Sequence, residues 1–464
     1  MTRSLAPRAA LAALVIVTSA CGADAVTTPR PTAAPSTASS ATASATASAV
    51  PSTAPIGEVV PPPGSTSELY PPNPEAILVA IDAGHGGCLD WGVPDPSERG
   101  VELAEKTLTL AIAQRLRDRL EADGIGVLMI REGDEALAGD DDPDLGCEGP
   151  PWRDVDGDGR AGFEATGRVR TRDELQARID RANLAGADAF VSIHINSMTQ
   201  DGVVFELAAT QTFYDDETPW GADASARLAT GLQDGVVAGI DGLATYDRQD
   251  RGTEAVAYYA ISRSWNATTD TCETAGDTWC KPHRGLVMPS ALAEVASITL
   301  RDEHDLLATS RGQEAIATGL VEGIGAFLAD RPLAVRIGLD GQAATDGPPI
   351  EPGDGPPFAA AVLPSGALAL RITNTGTQPI AAGSRLLAGW EASAAPYLAA
   401  APAGIDAIGP ELPALEPGAS VVFEVDLPPS PDAARALAWI SLRSGEDSLA
   451  DLGSPALQLA TAAP

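Results

Sequence analysis

The sequence predicts a three-layer α/β/α domain, with helices on both faces of a sheet, followed by a smaller immunoglobulin-like β-sandwich. From about residue 75, apolar runs of strand length alternate with segments of helical periodicity, which is typical of βαβ units. In the C-terminal part, short segments of alternating polarity are separated by Asn-Thr-Gly and Pro-Gly turns, which indicates antiparallel strands. We therefore expect the α/β domain over 75–330, a Pro/Gly linker over 331–357 and the sandwich over 358–464.

The N-terminal segment is typical of an export signal. Residues 1–21 have a charged start, an apolar stretch and small residues before Cys21. These small residues resemble a bacterial lipobox, so we expect lipidation of Cys21; the alternative is plain cleavage near Ala20 or Ala23. Residues 22–74 are mostly Ala, Ser, Thr and Pro, which predicts a disordered linker. The sequence thus predicts a protein of the cell envelope, lipid-anchored outside the cytoplasm.

Charge and cysteine content narrow the function classes. Asp and Glu outnumber Lys and Arg by 64 to 30, a net charge of −34 that disfavours binding to nucleic acid. Export would expose Cys88, Cys147, Cys272 and Cys280 to an oxidising environment. Four cysteines allow three pairings, and closeness in sequence favours Cys272 with Cys280 and leaves Cys88 for Cys147. The alternative is that some of them stay free.

The α/β domain has a regular order of predicted elements. An apolar strand over 76–83 is followed by a helix that starts at Glu105, ends near Gly124 and precedes a strand over 126–130. The helix has apolar residues at four-residue spacing: Leu108, Ile112, Leu116 and Leu120. A second helix begins at a Thr171–Glu174 capping box and ends at Gly186, before a strand over 189–196.

Two histidines lie where these predicted strands end. His85 follows the first strand on a glycine-rich turn, and His194 is near the end of the strand over 189–196. Glu105 opens the intervening helix, and Glu294 follows a short apolar run far downstream. Two imidazoles and one carboxylate, with a fourth position left for water, are a standard ligand set for catalytic zinc. Glu102 competes with Glu105 as the carboxylate, but the leucine register of the helix favours Glu105.

An acidic insertion has the start of a calcium loop. Asp154, Asp156 and Asp158 alternate with other residues, and Gly159 stands at the sixth position, as in an EF-hand loop. Glu164 falls at position eleven, whereas the motif has glutamate at twelve. The two interpretations are a Ca²⁺ site and an acidic surface turn.

The stretch from Ile77 to about Leu328 resembles the zinc-dependent N-acetylmuramoyl-L-alanine amidases of type 3, which hydrolyse peptidoglycan. Four segments carry this resemblance, in the family's order: Asp82–Gly87 with Asp90 and Gly92 after it, Glu105–Ala113, Arg178–Asn183 and Ser192–Asn196. The resemblance implies one Zn²⁺ held by His85, Glu105 and His194, Glu294 as catalytic acid and base, and Asn196 near the substrate. The sequence departs from the family after Glu294: the family usually has a small residue, Gly-Phe and later Asn, whereas this chain has Val295-Ala296-Ser297-Ile298-Thr299 and lacks Gly-Phe.

The resemblance implies that the partner is peptidoglycan and that the protein hydrolyses the amide between N-acetylmuramic acid and L-alanine. We expect the protein to be a monomer. Two alternatives keep the same site. One is a zinc-containing peptidoglycan-binding module without turnover, and the other is a zinc peptidase that acts on another envelope peptide. His283 and His304 have no motif support and are predicted at the rim or surface. Trp265, Trp279, Tyr258 and Tyr259 are candidates either for stacking on sugars or for packing.

Overall fold

The structure is a computed structural model that describes most of the two predicted domains. The described residues are 59–60, 76–88, 90–94, 103–138, 155, 172–197, 199–200, 203–204, 209–216, 221–246, 248–256, 258–261, 285–340, 361–362, 368–392, 406–429 and 436–460. Several predictions fall outside them: the export signal with Cys21, the acidic residues Asp154, Asp156, Asp158 and Glu164, and Cys147, Cys272, Cys280 and His283. Within the described residues, no helix has both the length and the apolar character needed to cross a bilayer.

The N-terminal half contains a mixed α/β sheet. Its elements are β1 (Val59–Val60), β2 (Leu78–Ala83), α1 (Glu105–Ala122), β3 (Gly126–Met129), α2 (Arg172–Ala185), β4 (Ala189–Asn196), β5 (Thr199–Gln200), β6 (Val203–Val204), β7 (Thr210–Tyr214), α3 (Ala222–Asp241), β8 (Asp250–Ala255), β9 (Ser290–Ser297), α4 (Arg301–Leu307) and α5 (Ser310–Ala329), with a 3₁₀ turn at Tyr259–Ile261 before β9. Six strands form one sheet in the order β3-β2-β4-β9-β7-β8. The first four are parallel, and β7 runs antiparallel to β9.

Helices cover both faces of this sheet because its central strands are apolar on both sides. Val191 and Ile193 of β4 belong to the core that α1, α3 and α5 share. Phe190, the residue before Val191, belongs to a second core with Ile179 of α2 and with the 3₁₀ turn. Alternate residues of a strand point to opposite faces, so a strand buried on both faces must be apolar at nearly every position. The predicted layering of this domain follows from that pattern.

The predicted positions of the first two helices are confirmed, whereas the capping box of the second involves Thr171, which lies outside the described residues. Helix α1 begins at Glu105, buries its leucine and isoleucine stripe and ends before Gly124, which adopts a left-handed φ of 87°. Helix α2 ends before Gly186, with φ of 62°. The carboxylate of Glu174 accepts hydrogen bonds from the backbone N–H groups of Leu137 and Ala138, so it ties the start of α2 to the loop after β3.

Helices α3 and α5 pack unusually closely through glycine. A Cβ on Gly235 would lie 2.0 Å from the backbone oxygen of Gly319, and one on Gly323 would lie 2.4 Å from that of Gly231. Such contacts leave no room for any side chain. These helices thereby form one layer against the face of the sheet that carries α1.

The C-terminal half consists of β strands. They are β10 (Val335–Leu339), β11 (Ala361–Val362), β12 (Leu368–Asn374), β13 (Arg385–Ala392), β14 (Asp406–Ile408), β15 (Ser420–Val425), β16 (Ala436–Ser444), β17 (Asp447–Ser448) and β18 (Leu457–Ala460). One sheet has the order β1-β15-β12-β10, and the other has the order β11-β18-β16-β13-β14, with β17 beside β16. Most neighbouring strands are antiparallel, and residues of both sheets share one apolar core.

Two parts of the predicted domain organisation differ from the structure. The Pro/Gly linker expected over 331–357 contains β10, which pairs with β12 because Val335 and Ile337 alternate with polar or small residues and bury their side chains in the C-terminal core. The linker expected over 22–74 contains β1, which pairs with β15. At these residues the chain is part of a sheet.

A buried ion pair joins the two halves. Asp188, which precedes β4, is fully buried, and its Oδ1 lies 3.0 Å from an Nη2 of Arg331, in the segment between α5 and β10. Further contacts involve Gly453, where a Cβ would lie 2.7 Å from Cβ of Ala224 and 2.9 Å from Cγ of Pro289. Asp188 and Pro289 lie just before parallel strands, so the C-terminal half contacts the amino ends of those strands.

Candidate metal centre

His85, Glu105 and His194 meet at the carboxyl ends of β2 and β4. His85 lies just after β2, Glu105 is the first residue of α1, and His194 lies two residues before the end of β4. The ligand atoms of all three lie within 4.8 Å of one another. The structure therefore brings together the three residues that the sequence singles out, and they could hold a metal ion.

The spacing of these atoms fits a tetrahedral metal. Nε2 of His85 lies 3.2 Å from Oε1 of Glu105, and Nδ1 of His194 lies 3.3 Å from the same oxygen. Tetrahedral zinc with bonds of about 2.0–2.1 Å holds neighbouring ligand atoms about 3.3 Å apart. The donors are also of the kind that zinc prefers, namely two imidazole nitrogens and one carboxylate oxygen.

Asp90 orients the imidazole of His85. Its Oδ1 lies 2.8 Å from Nδ1 of His85, while the other ring nitrogen faces Glu105. Because the carboxylate accepts a hydrogen bond from Nδ1–H, Nε2 is left as the metal-binding atom. Burial lowers the pKa of His85, but the charges of Asp90 and Glu105 outweigh it, so this pKa lies well above its usual value in the metal-free protein.

The carboxylate of Glu105 is held at both oxygens. Oε1 accepts from the backbone N–H of Ile195 at 2.9 Å, and Oε2 accepts from that of Val93 at 2.8 Å. Burial raises the pKa of Glu105, but the charge of His85 and the hydrogen bond from His194 lower it more, so the net shift is downward. Glu105 therefore stays ionised, as a metal ligand must.

Two glycines leave the space that the three side chains occupy. A Cβ on Gly84 would lie 2.4 Å from Nε2 of His194. Gly92 has a left-handed φ of 63°, and a Cβ there would lie 2.4 Å from Oε2 of Glu105 and 2.5 Å from Cδ2 of His85. The glycine at each position is thus required by contact with the site, and at Gly92 also by the backbone.

Two buried arginines support the backbone around His85. This residue has a φ of 61°, which is uncommon for a residue with a side chain. Arg178 donates to the backbone oxygen of His85 at 2.8 Å and to Oδ1 of Asp82 at 2.6 Å. Arg131 donates to the backbone oxygens of Ala83 and Lys106 at 2.8 and 2.6 Å. These bonds tie the turn of His85 to α1, α2 and the end of β3.

Glu294 stands beside the three residues on β9. It is directly opposite His194 in the pairing of β4 with β9. Its Oε2 is buried and has no hydrogen-bond partner in the described part of the chain. Burial and the negative charge of Glu105 raise the pKa of Glu294 to about 8, so the carboxyl can hold a proton near neutral pH in the metal-free protein.

Three further residues of this region are absent from the sequence-based predictions. Gln211 of β7 is directly opposite Glu294, and its Nε2 donates to Glu254 of β8 at 2.7 Å. Trp91 is 40% exposed beside Asp90 and Gly92. Gln211 and Glu254 lie in no recognisable motif, and only strand pairing places them here. Trp91 lies between Asp90 and Gly92, close in sequence to the candidate ligand His85. This proximity could have identified Trp91 from the sequence.

The other predicted residues have mixed outcomes. Asn196 ends β4, where its backbone oxygen accepts from the N–H of Ile298 at 2.8 Å. Cys88 is disulfide-bonded, with its partner outside the described residues, so its pairing with Cys147 stays a prediction. His304 is buried on α4, not at the surface, because α4 packs that side against α5 and β9. Tyr259 is buried in the core near α2, which favours packing as its role.

A mixed α/β sheet with two imidazoles and a carboxylate gathered at one edge is an arrangement typical of metal-dependent hydrolases. A family model described as N-acetylmuramoyl-L-alanine amidase matches residues 79–326, more than half of the 464-residue chain. The chain therefore belongs to the type 3 N-acetylmuramoyl-L-alanine amidase family.

Individual proteins match the same region. The chain is 26% identical to the uncharacterized protein YqiI of Bacillus subtilis (strain 168), over 54% of this chain and 85% of that protein. It is 25% identical to the germination-specific N-acetylmuramoyl-L-alanine amidase of the same organism, over 53% of this chain and 78% of that protein. Among solved structures, it is similar to the amidase AmiC2 of Nostoc punctiforme at 24% identity, over 54% of this chain and 95% of that chain, with a TM-score of 0.35.

Proposed function

We propose that the protein is a zinc-dependent peptidoglycan amidase that hydrolyses the amide between N-acetylmuramic acid and L-alanine of the stem peptide. The observation that carries the proposal is the convergence of His85 and His194 on one oxygen of Glu105, at 3.2 and 3.3 Å, with Glu294 directly opposite His194. Membership of the amidase family supports the same activity. A metal site with an adjacent carboxyl of raised pKa is one arrangement that can catalyse hydrolysis of an amide.

The residues around the site have distinct roles in this proposal. Zinc bound by His85, Glu105 and His194 would lower the pKa of a bound water and polarise the amide carbonyl. Glu294 takes a proton from the attacking water and delivers it to the leaving nitrogen. The raised pKa of Glu294 supports this role, because a carboxyl with a pKa near 8 holds a proton more readily than an ordinary one.

An exposed aromatic side chain beside the site supports a carbohydrate-containing substrate. Trp91 is held in place by its indole N–H, which donates to the backbone oxygen of Cys88 at 2.9 Å. The Nζ of Lys106 lies 4.7 Å from the centre of its ring. A rigid, exposed ring offers a flat apolar surface at little entropic cost, and the faces of sugar rings are complementary to such a surface. Trp91 is therefore assigned to contact a muramic acid ring.

The test compares the purified protein with Glu294→Gln on peptidoglycan and measures zinc content at the same time. We expect about one zinc per chain in both proteins. The wild type should release glycan and a stem peptide that begins with L-alanine, and Glu294→Gln should lower kcat by about 10²- to 10⁴-fold. Glu424→Gln, at an exposed position of β15 in the C-terminal half, is the control and should keep full activity.

Two other functions remain as outcomes of this test. Zinc binding without turnover in the wild type would support the peptidoglycan-binding module, which the altered segment after Glu294 favours. Cleavage inside the peptide, with the muramic acid link intact, would support the zinc peptidase. A wild type without zinc would contradict the metal assignment that all three candidate functions share.

The remaining proposals concern location and accessory features. We propose that the protein acts in cell-wall remodelling as a monomer, anchored by a lipid on Cys21, and that its C-terminal sheets form an immunoglobulin-like sandwich. The shared core of the two sheets supports the sandwich. Radioactive palmitate incorporation, abolished by Cys21→Ser, tests the anchor.

The calcium loop and the disulfides also stay predictions. If Asp154, Asp156 and Asp158 hold calcium, removal of calcium from the zinc-loaded protein should lower its melting temperature. An unchanged melting temperature would favour an acidic surface turn. Mass spectrometry of peptides from the non-reduced protein tests the pairs Cys88 with Cys147 and Cys272 with Cys280.

A further inference from the structure

Gln211 has a buried side-chain oxygen that no group in the described part of the chain satisfies. The residue is 4% exposed, and its Oε1 has no hydrogen-bond partner there. Burying an amide oxygen without a partner lowers the stability of a protein, so such atoms are uncommon in folded cores. An oxygen of this kind beside a candidate active site calls for a functional reason.

The chemistry of its neighbour determines how the Gln211 amide is oriented. Nε2 of Gln211 lies 2.7 Å from Oε2 of Glu254. An ionised carboxylate can only accept hydrogen bonds, so the nitrogen of the amide faces Glu254. Oε1 is therefore the free atom, and it is an acceptor that requires a donor.

A second unsatisfied acceptor stands on the same face of the sheet. Gln211 is directly opposite Glu294 on the antiparallel strands β7 and β9, and Glu294 is directly opposite His194 on β4. Residues directly opposite on neighbouring strands project from one face. Oε2 of Glu294 is also buried without a partner in the described residues. A ligand that satisfies the side chains of Gln211 and Glu294 must bring a hydrogen-bond donor next to Glu294, the group that delivers a proton.

We propose that Oε1 of Gln211 accepts a hydrogen bond from the N–H of the amide that is hydrolysed, and thereby orients the leaving nitrogen toward Glu294. The inference rests on the proposed amidase function and makes Gln211 a catalytic residue. Among the substrate's N–H groups, the scissile one must lie at Glu294, because this nitrogen receives the proton when the bond breaks. Glu254 acts through Gln211 and is a positioning residue.

The reaction explains why the orientation of the nitrogen matters. The oxygen of water forms a bond to the carbonyl carbon, and one proton of that water moves to Glu294. The nitrogen then takes the proton from Glu294 with its lone pair, the C–N bond breaks, and the products are a carboxylic acid and a free amine. If Gln211 holds the N–H on one side, the lone pair is left on the side of Glu294.

The test uses two substrates that differ in one atom, the muramoyl-L-alanine amide and the ester in which oxygen replaces the scissile N–H. Gln211→Met keeps the side-chain length but has only a weak acceptor. We expect kcat/KM for the amide to fall by about tenfold or more, and kcat/KM for the ester to change by less than about twofold, because the ester has no N–H to lose. Equal losses for both substrates, or no loss for either, would overturn the proposal.

Two controls separate this role from a structural one. Glu424→Gln, at an exposed position of β15 in the C-terminal half, should leave the ratio of amide to ester activity at its wild-type value. Gln211→Asn, a shorter amide, should show the same selective loss as Gln211→Met and guards against a folding defect in the latter.

The melting temperature of the metal-free protein is an independent readout. Gln211→Met removes a buried unsatisfied oxygen, which favours stability, and also the hydrogen bond to Glu254, which opposes it, so the variant should melt close to the wild type. A marked fall would indicate a structural role for Gln211 and would contradict the inference. A wild type inactive on both substrates would instead refute the proposed amidase function itself.

Discussion

The Nδ1 atom of His85 lies 2.8 Å from Oδ1 of Asp90, on the side of the ring opposite Glu105. One carboxylate therefore fixes the tautomer of the imidazole while the other shares the candidate metal with it. The two carboxylates also act on the charge of His85 in the metal-free protein, where together they raise its pKa. The contact between His85 and Asp90 thus affects both the orientation of the imidazole and the competition between zinc and protons for it.

Asp90→Asn should weaken zinc binding by about 10- to 100-fold, because the imidazole of His85 loses the carboxylate that orients it. Competition with a fluorescent chelator measures the affinity. Asp118→Asn, at an exposed carboxylate on α1, is the matched control and should bind zinc as the wild type does. Equal affinities for Asp90→Asn and the wild type would show that the ring is held by other contacts.

Zinc affinity should fall with decreasing pH, starting at a pH above the usual pKa of histidine. The pKa of His85 is raised in the metal-free protein, so His85 takes up a proton that zinc must displace. In Asp90→Asn one source of the raised pKa is gone, and the fall should begin at a lower pH. Affinity measured from pH 5.5 to 9 in both proteins checks this. Superimposable pH profiles would contradict it.

Glu294→Gln should stabilise the metal-free protein, and the gain should grow with pH. The unfolded chain loses the proton of Glu294 near pH 4.3, whereas the folded protein keeps it up to about pH 8. The folded state therefore loses stability as pH rises between these values, and glutamine removes that loss. We expect a gain on the order of 1 to 3 kcal/mol at pH 8 and none near pH 4. Urea unfolding at several pH values measures it, and a gain independent of pH would exclude this origin.

Gly92→Ala should lower both stability and zinc content. Gly252→Ala is a matched control, because Gly252 has a φ of 70° but nothing lies within 4 Å of a Cβ there. Both variants incur the cost of a left-handed alanine, about 1 kcal/mol. Only Gly92→Ala also displaces Glu105 and His85. Normal zinc content in Gly92→Ala would mean that the ligands can move without losing the metal.

Trp91→Ala should raise KM for glycan-containing substrates by about tenfold, equivalent to about 1.4 kcal/mol, with little change in kcat, because a contact with a sugar ring is made equally in the ground and transition states. Trp91→Phe should retain part of the effect. Leu452, 42% exposed in the C-terminal half, provides the control variant Leu452→Ala. A fall in kcat at unchanged KM would place Trp91 with the reacting groups.

The part of the site that the sequence predicts is the part encoded in local segments. His85, Glu105 and His194 each lie at a strand end or helix start that periodicity reveals, and parallel strands bring such ends to one edge of the sheet. Gln211 and Glu254 could not be predicted in this way. They reach Glu294 only because β7 runs antiparallel beside β9, and that pairing depends on long-range packing that no local pattern specifies.

The domain organisation also depends partly on local patterns and partly on long-range packing. The alternation of Val335 and Ile337 is a strand pattern, but the Pro- and Gly-rich residues that follow it favoured a linker. Partner strand β12 begins at Leu368, so the pairing that makes β10 a strand depends on distant residues. Similarly, the glycines of α3 and α5 weaken a helix judged alone and become favourable only when the two helices meet.

The ion pair between Asp188 and Arg331 limits how much of the C-terminal half can be removed. A protein that ended with α5 would keep Asp188 and lose the guanidinium 3.0 Å from it, so this carboxylate would be left without its cationic partner. Truncation at the family boundary would therefore yield a less stable enzyme. Arg331 thus couples the α/β half to the C-terminal strands. A chimera that exchanged these strands would have to keep Arg331 together with α5.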